Sequence, residues 1–198
     1  MSKDIILLIS IIIVIIAVLW ATGLVGLWLK GLSYIAYNTK DFENSKGYIV
    51  NGEFSISIDL ENLESNIGKE LYNDGKNKIY VAWMDNTGDA MSGGHRIGFR
   101  SSGDYSLNNA TLVSGIHHKY SNGSYQERIT ARTTTKYKDK IYNSRVYGTS
   151  GLNYKDGDDF AFYIFPSEAY VSGEVSLYEE GNAEITITNL FKNIWTEK

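Results

Sequence analysis

The sequence predicts an all-β antiparallel sandwich, of the jelly-roll kind, joined to one N-terminal hydrophobic α-helix. Two observations lead to this fold class. The first is an apolar run over residues 5–29 that contains no charged residue and no proline. The second is a series of short apolar segments between turns rich in Gly, Asn and Asp, spaced by about 8–15 residues. The chain therefore divides into residues 1–39, a hydrophobic helix with an interfacial extension, and residues 40–198, a β-sandwich domain.

The apolar run is long enough to cross a membrane as one helix. Its 25 residues would extend roughly 37 Å, against ~30 Å for the hydrocarbon core of a bilayer. Inside lipid every backbone polar group needs an internal partner, which favours a helix even for a run rich in Ile and Val. A cleaved secretory signal, the alternative, has an apolar region of only about 7–15 residues. We therefore expect an uncleaved helix, which serves either as a membrane span or as the core of a filament.

The segment after the apolar run is predicted to hold the head close to the helix. Residues 30–37 extend the helix and place Trp28, Tyr34 and Tyr37 at a membrane interface, where amphipathic aromatic side chains are favoured. A short polar passage follows over residues 38–47. No spacer rich in Ser, Gly or Pro separates helix and head, so we expect the two to be held in a fixed relation.

The head is predicted to contain about nine strands. Residues 54–60 alternate between apolar and polar side chains, which is typical of a half-buried strand. Residues 79–84 are apolar on both faces, as in a central strand. One short helix is predicted at 63–72, and a hairpin turn at 137–140. Further strands are predicted at 95–100, 112–118, 126–135, 141–147, 160–165, 171–177 and 185–188.

Composition excludes several classes of function. The chain has no cysteine, so disulfide bonds, cysteine-ligated zinc and thiol catalysis are absent. The formal net charge of −4 gives no overall field that would attract nucleic acid. From these observations we expect no nucleic-acid partner.

Charge is distributed unevenly along the head. Seven bases lie between Lys119 and Arg145, and eight acids lie between Asp156 and Glu184. These segments are either two solvated faces of opposite sign or complementary poles that contact a neighbouring copy. The candidate interface residues are Arg128, Arg132, Lys136, Lys138, Lys140, Glu174, Glu179 and Glu180.

The sequence shows no catalytic constellation and no cofactor motif. His117 and His118 are adjacent on a predicted strand, so they face opposite ways and cannot share a metal ion. His118 shares its face with apolar residues, which predicts a buried, hydrogen-bonded histidine. A calcium site at Asp156, Asp158 and Asp159 is the one metal candidate, and a solvated turn explains these residues better because an EF-hand loop is lacking. We predict a non-enzymatic protein without a cofactor.

Other sequence features bear on location and partners. Asn109 and Asn122 begin glycosylation triplets in predicted loops, which favours a head outside the cytoplasm. Several tyrosines also fall in or beside predicted loops, where they could stack on sugars or pack against a neighbouring subunit. Ordinary strand propensity explains these tyrosines equally well. Gly23 and Gly26 lie three residues apart in the apolar run and could permit close packing of neighbouring helices.

An apolar helix that leads without a spacer into an all-β head resembles the plan of archaeal type IV pilins and archaellins. The resemblance covers this organisation and no motif. It implies that the helices bundle into a filament core and that the heads form its sheath. The first hypothesis is therefore a self-assembling, homo-oligomeric structural protein of the cell surface. The alternative is a monomeric, membrane-anchored module that binds a glycan or a protein partner, as an adhesin or an immunity-type protein does.

Overall fold

The computed structural model describes residues 3–121 and 124–198, with the side chains of Ser45 and Ser121 outside that description. Its helices are α1 (Lys3–Ala21), α2 (Leu24–Lys30), α3 (Leu32–Tyr37) and α4 (Ser167–Val171). The strands are β1 (Phe42–Ile49), β2 (Glu53–Asp59), β3 (Glu70–Asn73), β4 (Lys78–Asn86), β5 (His95–Ser102), β6 (Asp104–Tyr105), β7 (Asn109–Ser114), β8 (Ile116–Ser121), β9 (Ser124–Ile129), β10 (Arg132–Tyr137), β11 (Lys140–Ser144), β12 (Val146–Thr149), β13 (Gly157–Tyr163), β14 (Asn182–Thr188) and β15 (Phe191–Glu197).

The predicted single helix over residues 5–29 is wrong in its length, because α1 ends at Ala21. The Thr22 hydroxyl donates back to the Val18 carbonyl at 3.0 Å, and Gly23 takes a left-handed φ of 76° that stops the helix. At 19 residues, α1 extends roughly 28 Å. It is the one helix in the described part of the chain that is long and apolar enough to cross a membrane, and none of its residues is buried.

The strands form antiparallel sheets, as predicted. The first sheet has the order β1-β15-β7-β6, the second β11-β10-β14-β2 and the third β12-β13-β5-β4-β3, while β8 and β9 form a separate hairpin. The second and third sheets bury a common hydrophobic core, in which residues such as Ile58 and Ile185 meet Val81 and Phe99. The head is therefore an antiparallel β-sandwich behind an N-terminal apolar helix, which confirms the predicted fold class.

A second, smaller core joins the helical segment to the head. Leu32 and Ile35 of α3 are completely or almost completely buried, and they share this core with Phe42, Leu112 and Trp195 of the first sheet. The sequence division placed residues 32–37 with the helix. In the structure α3 packs against the head, because its apolar side chains share a core with residues of β1, β7 and β15.

Several local predictions are confirmed. The strand predicted at 54–60 is β2, and the central strand predicted at 79–84 lies within β4. The predicted hairpin joins β10 to β11 through Lys138 and Asp139, which both have positive φ angles of 48° and 61°. Two successive left-handed residues form the tight turn whose twist suits a two-residue hairpin.

Other local predictions are wrong. The strand predicted at 171–177 is the end of α4 followed by a turn, in which Gly173 has a φ of 73°. The helix predicted at 63–72 is a short 3-10 turn, Leu63–Asn66, followed by β3. Three further strands were missed: β1 occupies much of the passage read as polar, β6 lies between two predicted strands, and β15 follows the last predicted strand. All three lie in the first sheet, where β1 and β15 pair with each other from opposite ends of the head sequence.

Candidate functional site at the junction of helix and head

The junction between the helical segment and the head is built around Gly31. Its φ of 58° separates α2 from α3, and the N–H of Leu32 donates to the Lys155 carbonyl at 2.6 Å. A Cβ atom on Gly31 would overlap the backbone of Lys155. Glycine is therefore needed here for two reasons, the left-handed φ and the close approach of the loop before β13.

Aromatic and basic side chains surround the end of the apolar helix. Trp20 and Trp28 are mostly exposed, and the Lys155 ammonium lies 5.6 Å from the centre of a Trp28 ring. Lys30 is also exposed and ends α2. Tryptophan and lysine at one end of an apolar helix are typical of side chains at the polar boundary of a membrane.

Gly23 and Gly26, the predicted helix-packing residues, are used within the chain. The Tyr34 side chain lies over both of them, and a Cβ atom at either position would come too close to its ring or hydroxyl. The two glycines thus allow Tyr34 of α3 to pack back against α2. The surface that was predicted to receive a neighbouring helix is covered here by the chain's own tyrosine.

A chain of polar side chains runs from the exposed Tyr37 at the junction into the buried interior of the head. The rings of Tyr37 and Tyr125 meet edge to face with their centres 4.8 Å apart. The Tyr125 hydroxyl makes a short hydrogen bond with Nδ1 of His118. On the other side of the ring, Nε2 of His118 lies 2.5 Å from Oδ2 of Asp158. The Ser114 hydroxyl completes the chain by bonding to the Asp158 carboxylate, at 2.7 Å from Oδ2.

This chain of polar side chains joins the junction to the head. The His118 ring lies between the Tyr125 hydroxyl and the Asp158 carboxylate, and the Ser114 hydroxyl bonds to the same carboxylate. Ser114, His118 and Asp158 are completely buried. Burial, with additional contributions from Tyr37, Glu127 and Asp158, raises the pKa of Tyr125 well above its usual value, so this phenol stays protonated. A buried polar network of this kind is stabilising because its members satisfy one another.

The sequence predicted part of this chain of polar side chains. His118 is buried and hydrogen-bonded, as predicted, and His117 faces the other way and stacks on Phe191 with ring centres 4.1 Å apart. The carboxylate partner of His118 was missed. Asp158 lies 40 residues further along the chain, and only the placement of β13 beside β7 and β8 brings it near.

The three aspartates considered as calcium ligands do not converge. Asp156 accepts a hydrogen bond from Ser102 at 2.6 Å, Asp158 belongs to the buried chain, and Asp159 pairs with Arg100. Among the residues that the structure describes, no group of three or more His, Cys, Asp or Glu side chains could hold a metal ion.

Some residues of the predicted basic segment form ion pairs with residues of the predicted acidic segment within the same chain. Lys138 pairs with Glu179 at 2.7 Å and Lys140 pairs with Glu174 at 3.3 Å, because the β10–β11 hairpin lies beside the turn that follows α4. The Glu180 carbonyl accepts a hydrogen bond from Tyr137 at 2.8 Å. Lys138, Lys140, Glu174 and Glu179, which were candidates for contact with a neighbouring copy, are thus paired within one chain.

The remaining predicted residues lie at the surface of the head or outside the described residues. Arg128 and Arg132 are exposed and line a shallow cavity of about 550 Å³, and Lys136 is exposed on β10 opposite Glu184. Asn109 is exposed as the first residue of β7 and does not lie in a loop. The second predicted glycosylation residue, Asn122, lies outside the described residues.

No protein-family model, curated protein or solved structure matches this chain. The function is therefore inferred from the geometry described above.

Proposed function

We propose that the protein is a membrane-anchored surface module, in which α1 spans the bilayer and the β-sandwich head is displayed outside the cytoplasm. The observation that carries this proposal is the exposure of α1, whose 19 residues have no buried member. Its apolar side chains therefore need a covering that its own head does not provide. Its length of roughly 28 Å is close to the ~30 Å hydrocarbon core of a bilayer.

The junction supports a head held firmly at the membrane surface. Trp28 and Lys155 lie close together, and both are residue types that are favoured at a membrane interface. The hydrogen bond from Leu32 to Lys155 and the burial of Ile35 join the helical segment to the head without a flexible spacer. A firmly held head suits a module that presents one face to a partner, and the proposed role of the head is to bind a glycan or a protein.

A self-assembling surface subunit is the second candidate, and one observation favours it. The hydroxyls of Ser10 and Thr22 both bond back to carbonyls of their own helix turn, at 2.9 Å and 3.0 Å. After Lys3 and Asp4 the surface of α1 therefore presents apolar side chains on all sides, so helices of other copies could cover it as well as lipid could. In that case the protein would form a homo-oligomeric filament or another assembly of the cell envelope.

The proposal predicts that a charge in the middle of α1 prevents membrane association. Ile12→Lys should raise the free energy of insertion by about 3 kcal/mol, because a lysine at the centre of a membrane helix is strongly unfavourable. The measurement is the fraction of protein that stays with vesicles after alkaline extraction. Val171→Lys is the matched control, since Val171 lies on the head with 74% of its surface exposed.

The two candidates differ in the particle that detergent extracts contain. A membrane-anchored module gives a discrete small particle by size-exclusion chromatography and negative-stain microscopy, whereas a structural subunit gives filaments or rings. An Ile12→Lys protein that remained with the vesicles as fully as Val171→Lys would contradict the anchor proposal.

A further inference from the structure

The outer face of the third sheet carries a row of small residues. Gly98 of β5 lies directly opposite Ala161 of β13, and Ala161 lies opposite Gly148 of β12. Most of the surrounding cross-strand neighbours on this face have large side chains. The row is therefore a trough across three strands, with a floor that almost lacks side chains.

Two irregularities of strand pairing place aromatic side chains over this floor. Pairing between β4 and β5 shifts by one residue between Val81 and Trp83, and pairing between β12 and β13 shifts between Val146 and Gly148. Such bulges redirect a side chain and are frequent next to binding and catalytic sites. Here they bring Trp83 and Tyr147 together from opposite sides of the trough, with ring centres 5.9 Å apart.

Gly98 is needed for this arrangement. A Cβ atom at position 98 would overlap the indole of Trp83, although the backbone of Gly98 is ordinary extended strand and imposes no need for glycine. The glycine is therefore explained by the ring that lies on it. Trp83 and Tyr147 are both partly exposed, so each offers apolar ring surface to a ligand.

The polar groups at the two sides of the trough are neutralised in pairs. Arg96 forms two hydrogen bonds with Asp85, at 2.8 Å and 2.5 Å, and its guanidinium carbon lies 4.4 Å from the centre of the Tyr147 ring. Arg100 is paired in the same way with Asp159. Because each charge has its partner, the site offers fixed hydrogen-bonding groups without an excess of either sign.

We propose that this trough binds a neutral glycan through one of its pyranose rings. The cleft beside Trp83 and Tyr147 has a volume of about 170 Å³ and is also lined by Thr149, Ser150 and Asp159. A cleft of this volume is large enough to take a single sugar ring. Aromatic surface with a few fixed polar groups is typical of small-ligand sites, and a sugar ring has apolar C–H faces and a rim of hydroxyls that match both.

This inference rests on the proposed function, since it names the ligand class and the binding face of the head. Its test does not depend on membrane insertion, because it uses the full-length protein in detergent. The probes are soluble hexasaccharides of glucose, mannose, galactose and N-acetylglucosamine, screened on an array and then titrated by calorimetry. We expect at least one of these neutral probes to bind, and its addition to change the tryptophan fluorescence.

Two substitutions decide whether the trough is responsible. Tyr147→Ala and Trp83→Ala should each weaken binding of that probe by about tenfold or more, as expected for aromatic residues at the centre of a binding site. Tyr178→Ala is the matched control, because Tyr178 is 88% exposed outside this face and its loss should leave binding unchanged. Tyr147 lies on an edge strand and is 45% exposed, so its variant keeps the test valid if Trp83→Ala fails to fold.

Three outcomes would overturn the inference. One is that none of the four probes binds to the folded protein. Another is that Tyr147→Ala and Tyr178→Ala bind a probe equally well. The third is that Tyr147→Ala abolishes self-association of the head in solution while no glycan binds, which would make the trough a contact with a second copy. None of these results changes the membrane association of α1, so a failure here is separate from a failure of the anchor proposal.

Discussion

At the scale of single residues, Asp158 has the largest energetic role that we infer. Its carboxylate is completely buried and bonds to Ser114 and His118, which are completely buried as well. Removing one member of such a group leaves the others without partners inside the protein, and that loss is more costly than the loss of the interaction itself.

Asp158→Ala should therefore lower the free energy of unfolding by about 3–5 kcal/mol. Urea unfolding in a fixed detergent, followed by circular dichroism, measures this quantity. Asp104→Ala is the matched control, since Asp104 is half-exposed and lies 3.8 Å from Lys76, so that its loss should cost less than about 1 kcal/mol. Equal losses in the two variants would show that the buried chain does not stabilise the head.

Glu179 gives the stability of the head a specific dependence on pH. Burial would raise the pKa of its carboxyl group, but hydrogen bonds from Lys138, Tyr137 and the Ser176 backbone more than offset that effect and lower the pKa from 4.5 to about 2. The folded state thus binds a proton less readily than the unfolded state. The resulting stabilisation is complete above pH 4.5 and is lost as the pH falls towards about 2.

We expect Glu179→Gln to reduce the change in unfolding free energy between these two pH values. Tyr137→Phe should do so in part, because it removes one of the hydrogen bonds that lower the pKa of Glu179. The measurement is urea unfolding at a series of pH values. A Glu179→Gln protein with the pH dependence of the unchanged protein would refute this assignment.

Local features of single residues could be predicted from the sequence, whereas contacts between residues far apart in the sequence could not. The opposite orientations of His117 and His118 follow from strand alternation, which is a local property. The bond between His118 and Asp158 joins positions 40 residues apart, and the pair Lys138–Glu179 joins positions 41 apart. Such contacts depend on the order of strands in the sheets, which the sequence pattern does not specify.

At the scale of elements, the hydropathy of the N-terminal segment was enough to predict a helix but not to predict where that helix ends. Hydropathy predicted an apolar helix, but gave no sign that it would end at Ala21, because Thr22 and Gly23 continue an uncharged run. The break depends on the left-handed φ of Gly23 and on Tyr34, which lies over Gly23 and Gly26. The strand β1 was missed for a similar reason, since its residues 43–46 are polar and it is stabilised by pairing with β15.

The junction predicts a difference between two glycine-to-alanine substitutions. Gly31 and Gly173 both have positive φ angles, of 58° and 73°, so alanine at either position costs about 1–3 kcal/mol of backbone strain. Only Gly31→Ala also places a Cβ atom against the Lys155 backbone, since nothing lies within 4 Å of the same atom at Gly173. Gly31→Ala should therefore lower the thermal midpoint further and speed proteolysis of the loop at Lys155. Equal changes in the two variants would mean that α3 is not held by this loop.

At the scale of the whole molecule, the structure separates a covered head from an uncovered helix. Several charges of the predicted poles are paired within the head, and the glycines predicted for helix packing are in contact with the chain's own Tyr34. These groups are thus already in contact within one chain, and the covering of α1 is the point on which the two proposed functions differ. The sandwich architecture itself was predictable, because alternation of apolar residues and turn spacing are properties of the whole head, while strand order and register were not.

The central claim is that lipid covers α1, and the depth of a probe at its middle tests this most directly. Because the chain has no cysteine, Ile12→Cys can carry a single fluorophore in lipid nanodiscs, with Tyr178→Cys as the control on the head. The account predicts that a nitroxide in the centre of the lipid chains strongly quenches the probe at position 12 and leaves the probe at position 178 unaffected. A probe at position 12 that is shielded from both this lipid quencher and a water-soluble quencher would show that other protein chains cover α1, which would contradict the account.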